Sequence, residues 1–394
     1  MRIQNSYRVL FLLLPLFFLP HTSRAANQTR LVVSNTPGQC PQAKFTKIQD
    51  AVNAAVAGDT IRVCNGVYAE QVTINKPLDI NADPGAFLVP SSVQQNSSSL
   101  ATGDAIAAAL LVTGASNVTI SGLTVDGINN GIASCSPRLI GVYFQNSSGT
   151  VNHATVRNFK LGVSFNGCQS GTGIFVESGS GGTSDVEIAN SSIHDFQKDG
   201  ITVNEMATQA RIRNNVVTGL GPTTGAAQNG IQIGFGAQGT IRENTVTNNV
   251  FAPCNAIATC DTVATNILVT QSDDVRIVDN IVGISQIGIF VDGNNSVVRG
   301  NTAFASTVFE GIRVEGDGNT VNDNRVVNGG EAGIFLAGNN NAVQRNQITD
   351  APIGILKAAG SAGNVINGND FFNVAIEVQD PPLASLKMKV VAER

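Results

Sequence analysis

Asp292, Glu315, Arg313 and Glu310 are the residues whose types and spacing could do acid–base chemistry. Asp292 follows Gly288-Ile-Phe-Val and Glu315 follows Gly311-Ile-Arg-Val, so both acids hold the same place in a recurring phrase. If that phrase is one β-strand, its Ile and Val point to one side, and the residue between them and the residue after Val point to the other. The outward column then reads Thr202, Gln232, Leu268, Phe290, Arg313, Phe335, and its neighbour reads Asn204, Gly234, Thr270, Asp292, Glu315, Ala337. On adjacent strands the two carboxylates lie about 5 Å apart. Such a like-charge pair raises one carboxyl pKa, as a general acid working on a glycosidic bond requires. Arg313 is placed to grip a uronate carboxylate, with Phe290 and Phe335 beside it as stacking surfaces for a sugar ring. Asp199 and Gln232 extend the polar strip as substrate-binding candidates, and Asp199 belongs to a second charged cluster with His194, Asp195, Lys198 and Glu205. Each has a plainer reading beside it: ion-paired surface charge, aromatics covering a loop, a histidine hydrogen-bonding in a turn.

Repeats must position these residues. The Gly-led phrase recurs at Gly141, Gly162, Gly200, Gly230, Gly288, Gly311, Gly333 and Gly354, the last four at spacings of 23, 22 and 21. A second phrase is centred on Asn215, Asn244, Asn280, Asn301, Asn324, Asn346 and Asn369, each with an aliphatic residue three positions before it and an apolar residue two after. Within each repeat the apolar residues alternate over three or four positions and then break at Gly, Asn or Asp, which is strand rather than helix periodicity. A unit of about 22 residues cannot bury its own apolar face and must stack on its neighbours. Equivalent residues then lie about 4.8 Å apart, and a column of buried Asn can satisfy its amides from coil to coil. The reading is all-β: a single-stranded right-handed parallel β-helix with a short N-terminal capping helix.

The boundaries follow: a leader over 1–25, a cap with the first strands over 26–80, the β-helix over 81–373, and a closing cap or tail over 374–394. Thr46-Lys47-Ile48-Gln49 reads as a capping box opening the helix, residues 81–116 read as irregular and Ser/Ala-rich, and the 219–229 and 248–262 stretches read as long loops, with the question open whether they wall a groove beside the Asp292/Glu315 column. The leader has Arg2 and Arg8, the apolar run Val9 to Pro20, and Ser23-Arg24-Ala25 before the cut. Twelve apolar residues are too few for a membrane span, which takes about 20, and no later run approaches that length. The expectation is therefore a secreted or periplasmic protein with no membrane span once the leader is gone.

Composition narrows the function. The chain has 394 residues, 13% charged, 41 Asn, 41 Gly and no Trp, with a net charge of −5. Loss of the three leader arginines makes that −8, which excludes a phosphate-gripping nucleic-acid binder. Six cysteines, Cys40, Cys64, Cys135, Cys168, Cys254 and Cys260, form an even set expected as disulfides in an exported chain. Of fifteen pairings, the sequential one (40–64, 135–168, 254–260) is the least costly. Zinc, heme, nucleotide and serine-hydrolase motifs are missing; calcium on aspartates is the metal left open, although the acids are scattered rather than spaced as a loop.

Residues 45–80 resemble the opening segment of pectinesterase-like and related pectin-lyase-fold proteins, most closely at Gly66, Tyr68 and Glu70 (G-x-Y-x-E). The later coils resemble the generic repeats of carbohydrate-binding and sugar-hydrolase β-helices. The resemblance implies an extracellular or periplasmic β-helix acting on acidic polysaccharide, as lyase, glycoside hydrolase or esterase. It carries no catalytic site across, because the esterases' Q-D-T and D-F-I-F-G motifs are absent. The expected function is binding, with possible cleavage or modification, of a uronate-containing polysaccharide; the rival is a non-catalytic structural or adhesive solenoid.

Overall fold

The computed structural model describes residues 29–380 and 389–394; the leader lies outside the described residues. The chain winds as a parallel β-helix whose coils each contribute strands to three stacks. One stack is a 13-stranded sheet running from Arg30–Val33 to Val365–Asn367. The other two form one long sheet that bends around the coil. One of them runs from Gly66–Tyr68 to Arg325–Gly329, the other through Ala105–Thr113, Arg138–Gln145, Thr172–Glu177, Asp199–Asn204, Asn229–Gly234, Thr265–Thr270, Ile287–Asp292, Ile312–Val314 and Ala332–Leu336, and the long strands Gln347–Lys357 and Asp370–Gln379 continue both. Coil-to-coil pairing is parallel throughout, and the antiparallel pair Ser97–Ser98 with Ala105–Ile106 is a local addition.

Inside the coil the branched aliphatics of the Gly-led phrase line up. Ile201, Ile231, Ile267, Ile289, Ile312, Ile334 and Ile355 form one column and are fully buried, and Val203, Ile233, Val269, Val291, Val314 and Leu336 form the next. One position of the repeat reads differently from expectation. Gly162-Val-Ser-Phe is not a strand: residues 163–165 make a short 3-10 turn on a loop, with Val163 exposed. The coil's strand is Thr172–Glu177, whose Gly173-Ile-Phe-Val carries the same phrase in better form. Likewise 81–116 is not irregular, since Ala105–Thr113 is a nine-residue strand of the long sheet.

The Asn column closes one corner. The Nδ2 of Asn215, Asn244, Asn280, Asn301, Asn324 and Asn346 donates to the Oδ1 of the next Asn at 2.9–3.0 Å, and the backbone N–H of each donates to that same oxygen. The residue before each Asn bends left-handed, at φ between 53° and 68° (Asn214, Glu243, Asp279, Gly300, Asp323, Arg345, Gly368). Asn, Asp and Gly tolerate that conformation best; Glu243 and Arg345 are held in it by the ladder that follows.

A helix, Ile48–Ala54, packs Ile48, Ala51 and Val52 against the first strands. Its start is not a capping box. Lys47 is the N-cap and makes no side-chain cap bond; instead the Glu70 carboxylate accepts from the N–H of Ile48 (2.7 Å) and Gln49 (3.0 Å). Lys76 Nζ donates to the carbonyls of Val52 and Ala55 at the other end. Opposite charges thus sit on the favourable ends of the helix dipole, and G-x-Y-x-E does structural work here, since Tyr68 Oη donates to the Cys64 carbonyl at 2.8 Å. The disulfides are the sequential set: Cys40–Cys64, Cys135–Cys168 and Cys254–Cys260. Of the expected closing tail, Asp370–Gln379 forms the last strand of the long sheet, but residues 389–394 lie far from that end, against coils between Arg138 and Val263.

Asn301→Ala would remove the acceptor of both Asn280 amide groups inside the coil. It should cost about 2–4 kcal/mol, one to two stranded buried groups, read as a shift in the denaturant midpoint. A loss no larger than that of a surface Asn→Ala control would contradict the ladder's role.

Candidate functional site

The outer face of the long sheet bears the predicted columns in the predicted order. Thr202 pairs with Gln232, Gln232 with Leu268, Leu268 with Phe290, Phe290 with Arg313 and Arg313 with Phe335. The column continues backward through Phe175, which the misplaced Gly162 copy hid and which Gly173-Ile-Phe-Val could have revealed, to Tyr143 of the Gly141 copy. The face is not bare, contrary to the exposed strip expected from the strand pattern. Thr202, Gln232 and Leu268 are fully buried, and Phe290, Arg313 and Phe335 nearly so. Part of the cover is the loop closed by Cys254–Cys260, which packs with Val263, Val308 and Phe309 on Leu268 and Phe290. The long loop thus roofs the face rather than walling a groove.

Arg313 is fixed on every side. Its guanidinium meets Glu310 Oε1 at 3.1 Å and Glu315 Oε1 at 2.6 Å, 3.9 Å from the Phe335 ring centroid and 5.8 Å from that of Phe290. With both acids supplied by its own chain, it is not free to grip a uronate. Glu310 is fully buried, and one of its carboxyl oxygens has no partner. Burial pushes its pKa up to about 8, Arg313 pulling against and Glu331 adding to the rise. Asp292 sits one coil from Glu315, half-buried, taking a 3.3 Å hydrogen bond from Thr270 Oγ1. Burial raises its pKa against that bond, and the Glu315 charge raises it further. The arrangement can hold a proton on one carboxyl next to an Arg-paired carboxylate.

A second cluster lies several coils back, built by residues 389–394. The Arg138 guanidinium is ion-paired with the Glu393 carboxylate and donates to the Arg394 carbonyl at 2.7 Å. Thr172 Oγ1 donates to Glu393 Oε2, and Asn204 and Gln232 donate to the Glu393 carbonyl at 2.5 and 2.6 Å. Fully buried Lys198 donates to the Val391 carbonyl and lies 3.6 Å from Asp199. Burial lifts the Asp199 pKa to about 7, with Lys198 opposing and Glu393 reinforcing. Burial works against ionisation of Glu393 as well, but Arg138, Asp199 and Thr172 outweigh it and hold Glu393 below the usual range. Asp199 and Gln232, expected at a substrate surface, therefore meet the protein's own chain. Sequence reasoning missed Arg138 and Glu393, since neither belongs to the repeated phrases.

His194 Nδ1 lies 2.7 Å from Asp195, with Lys160 on the same carboxylate, as a partly exposed turn cluster. It does not join Asp199, whose side chain is buried on the strand beyond. Cys40, Cys64 and Asp83 are close enough to share a metal, but the two sulfurs are bonded to each other. Asp273 is occupied in accepting both amides of Asn294. Among the described residues, no helix is long and apolar enough to cross a membrane.

This architecture is a right-handed parallel β-helix, and solved structures share it. The chain is similar to a GH136 lacto-N-biosidase of Eubacterium ramulus (TM-score 0.57, 11% identity, 88% of this chain and 68% of that one). It is also similar to the A-module of the Azotobacter vinelandii mannuronan C-5 epimerase AlgE4 (TM-score 0.55, 14% identity, 87% and 94%) and to the periplasmic alginate epimerase AlgG (TM-score 0.50, 13%, 84% and 83%). Residues 252–382 match the family model described as periplasmic copper-binding protein (NosD). No curated protein sequence matches the chain. The NosD match does not extend to copper ligands: copper prefers His, Met and Cys, residues 252–382 contain no His or Met, and Cys254 is bonded to Cys260.

Glu310 sets a pH test. In the folded chain it keeps its proton up to about pH 8, whereas unfolded it releases it near the ordinary carboxyl value. Its contribution to stability is complete below that ordinary value and is lost as pH rises through about 8. Glu310→Gln should therefore flatten the fall in Tm between about pH 5 and about pH 9 by at least a few degrees, leaving the fall due to Asp199, which ends near pH 7. Superimposable Tm–pH curves for the two proteins would contradict the buried-acid assignment.

Proposed function

We propose that the protein is exported and binds an acidic, uronate-containing polysaccharide along the outer face of its long sheet, with Asp292 and Glu315 as the acid–base pair that acts on it. One observation carries this reading: Glu310, Arg313, Glu315 and Asp292 gather on the outside of a solenoid whose core lies inside. Desolvating charge costs several kcal/mol per ion unless it is paired. The coil stack does not need charge there, since Leu268 fills the same column two coils back. Perturbed ionisable groups gathered in this way single out candidates for functional sites, although structural ion-pair networks gather them too.

In this reading Asp292 supplies the proton, and Glu315, oriented by Arg313, is the partner carboxylate. Phe290 and Phe335 flank the Arg313 guanidinium, which acts as a positioning residue between them. The glycan chemistry in the names of the similar structures supports a polysaccharide ligand, and the periplasmic description of two of the matches supports export. Three disulfides also suit an oxidising compartment. A mature charge of −8 opposes a polyanion at long range, so calcium belongs in the assay. The saturation of Arg313 by its own chain favours a second reading, a non-catalytic structural or adhesive solenoid.

Release of reducing ends, and absorbance of unsaturated uronates, on a panel of acidic and neutral polysaccharides with and without calcium separates the two. Asp292→Asn and Glu315→Gln should each lower turnover by about 100-fold or more while polysaccharide binding persists. Binding without turnover in the wild type assigns the solenoid reading; absence of binding to every acidic polysaccharide contradicts both the glycan and its site.

A further inference from the structure

Four coils of the long sheet aim buried polar side chains at one residue that belongs to none of those coils. Arg138, Thr172, Asn204 and Gln232 surround Glu393: the guanidinium and the hydroxyl take its carboxylate, and the two carboxamides take its backbone carbonyl. Gln232 Oε1 also accepts from the Glu393 N–H at 3.0 Å. These side chains point away from the core, so packing of the coil does not account for them. Beside them in the same outer column Tyr143 and Phe175 stack with centroids 5.3 Å apart and planes within 9°, and Arg138 sits 5.5 Å over the Phe175 ring, so the guanidinium is held in place from below. A guanidinium and a hydroxyl for a carboxylate, with carboxamides for neighbouring oxygens, are what recognition of a carboxylated sugar needs.

Outside this cradle segment 389–394 is held by a few separate contacts. Its strand pairing is two residues long, Lys389–Val390 on Thr262–Val263. Lys198 and Asn229 take the Val391 carbonyl, and Arg394 meets Glu205 and the Phe235 ring. We propose that Arg138, Thr172, Asn204 and Gln232 form a carboxylate-recognition subsite for a uronate unit, and that Glu393 fills it as an internal ligand that the glycan displaces. This rests on the acidic-polysaccharide reading and adds to it the place where the carboxylate is read, several coils from Asp292 and Glu315.

Hydrogen exchange of the full chain, with and without saturating oligogalacturonate, tests the proposal without altering the protein. Exchange of the peptide spanning 389–394 should rise with oligogalacturonate and stay unchanged with a neutral galactose oligomer. A tethered competitor acts at an effective concentration of up to about millimolar, so Glu393→Gln should bind oligogalacturonate about tenfold more tightly or better. Adding Arg138→Gln to it should abolish that gain, with circular dichroism showing both variants folded. Oligogalacturonate binding with 389–394 still protected, or equal affinity of wild type and Glu393→Gln, overturns the subsite and leaves the glycan reading standing. Failure of wild type and Glu393→Gln alike to bind any acidic oligosaccharide removes both. Binding of a free 389–394 peptide to Glu393→Gln without any binding of oligogalacturonate makes the cradle a peptide site and overturns the proposal.

Discussion

Everything in this molecule depends on coils stacking in register, one strand spacing apart. The register turns a sequence period of about 22 residues into straight columns of like side chains. Its chemical signature is the Asn ladder, in which each side-chain oxygen accepts two amides from the coil before it. A buried carboxamide without partners is expensive, so a slip of one residue would strand the whole column at once. The aliphatic columns supply most of the burial; the ladder supplies the reason for one alignment rather than another.

The same stacking sets what the outside can do. A column on the outer face presents one side chain per coil, so residues more than twenty positions apart in sequence become neighbours. Where the column carries Phe290, Arg313 and Phe335, the guanidinium lies between two rings and two carboxylates. Where it carries Tyr143, Phe175, Thr202 and Gln232, it provides a stacked aromatic pair and polar donors. These are two ends of one strip, and the chain roofs both: one partly with the disulfide loop at 254–260, the other with residues 389–394.

The fold was legible in the sequence wherever the repeat spoke. Period-two apolar residues, the Asn spacing and the Gly-led phrase gave the strands, the columns and the pairing of Asp292 with the Glu315 coil. The sequential disulfides also followed, because each bridges short distances along the chain. What escaped lies outside the repeat. Glu70 caps the helix from 22 positions away, so a local capping box was the wrong inference. Glu393 meets Arg138 across 255 positions, with no periodicity to announce it. For the same reason, burial of the outer face could not be read from strand alternation: its covers are single segments, each used once.

The most direct measurement is a crystal structure of the protein with a bound galacturonate oligomer. The account predicts sugar rings along the outer face of the long sheet between Arg138 and Glu315, with a carboxylate on the Arg138 guanidinium and residues 389–394 withdrawn. An oligomer bound on the 13-stranded sheet instead, with Glu393 still seated among Thr172, Asn204 and Gln232, would contradict it.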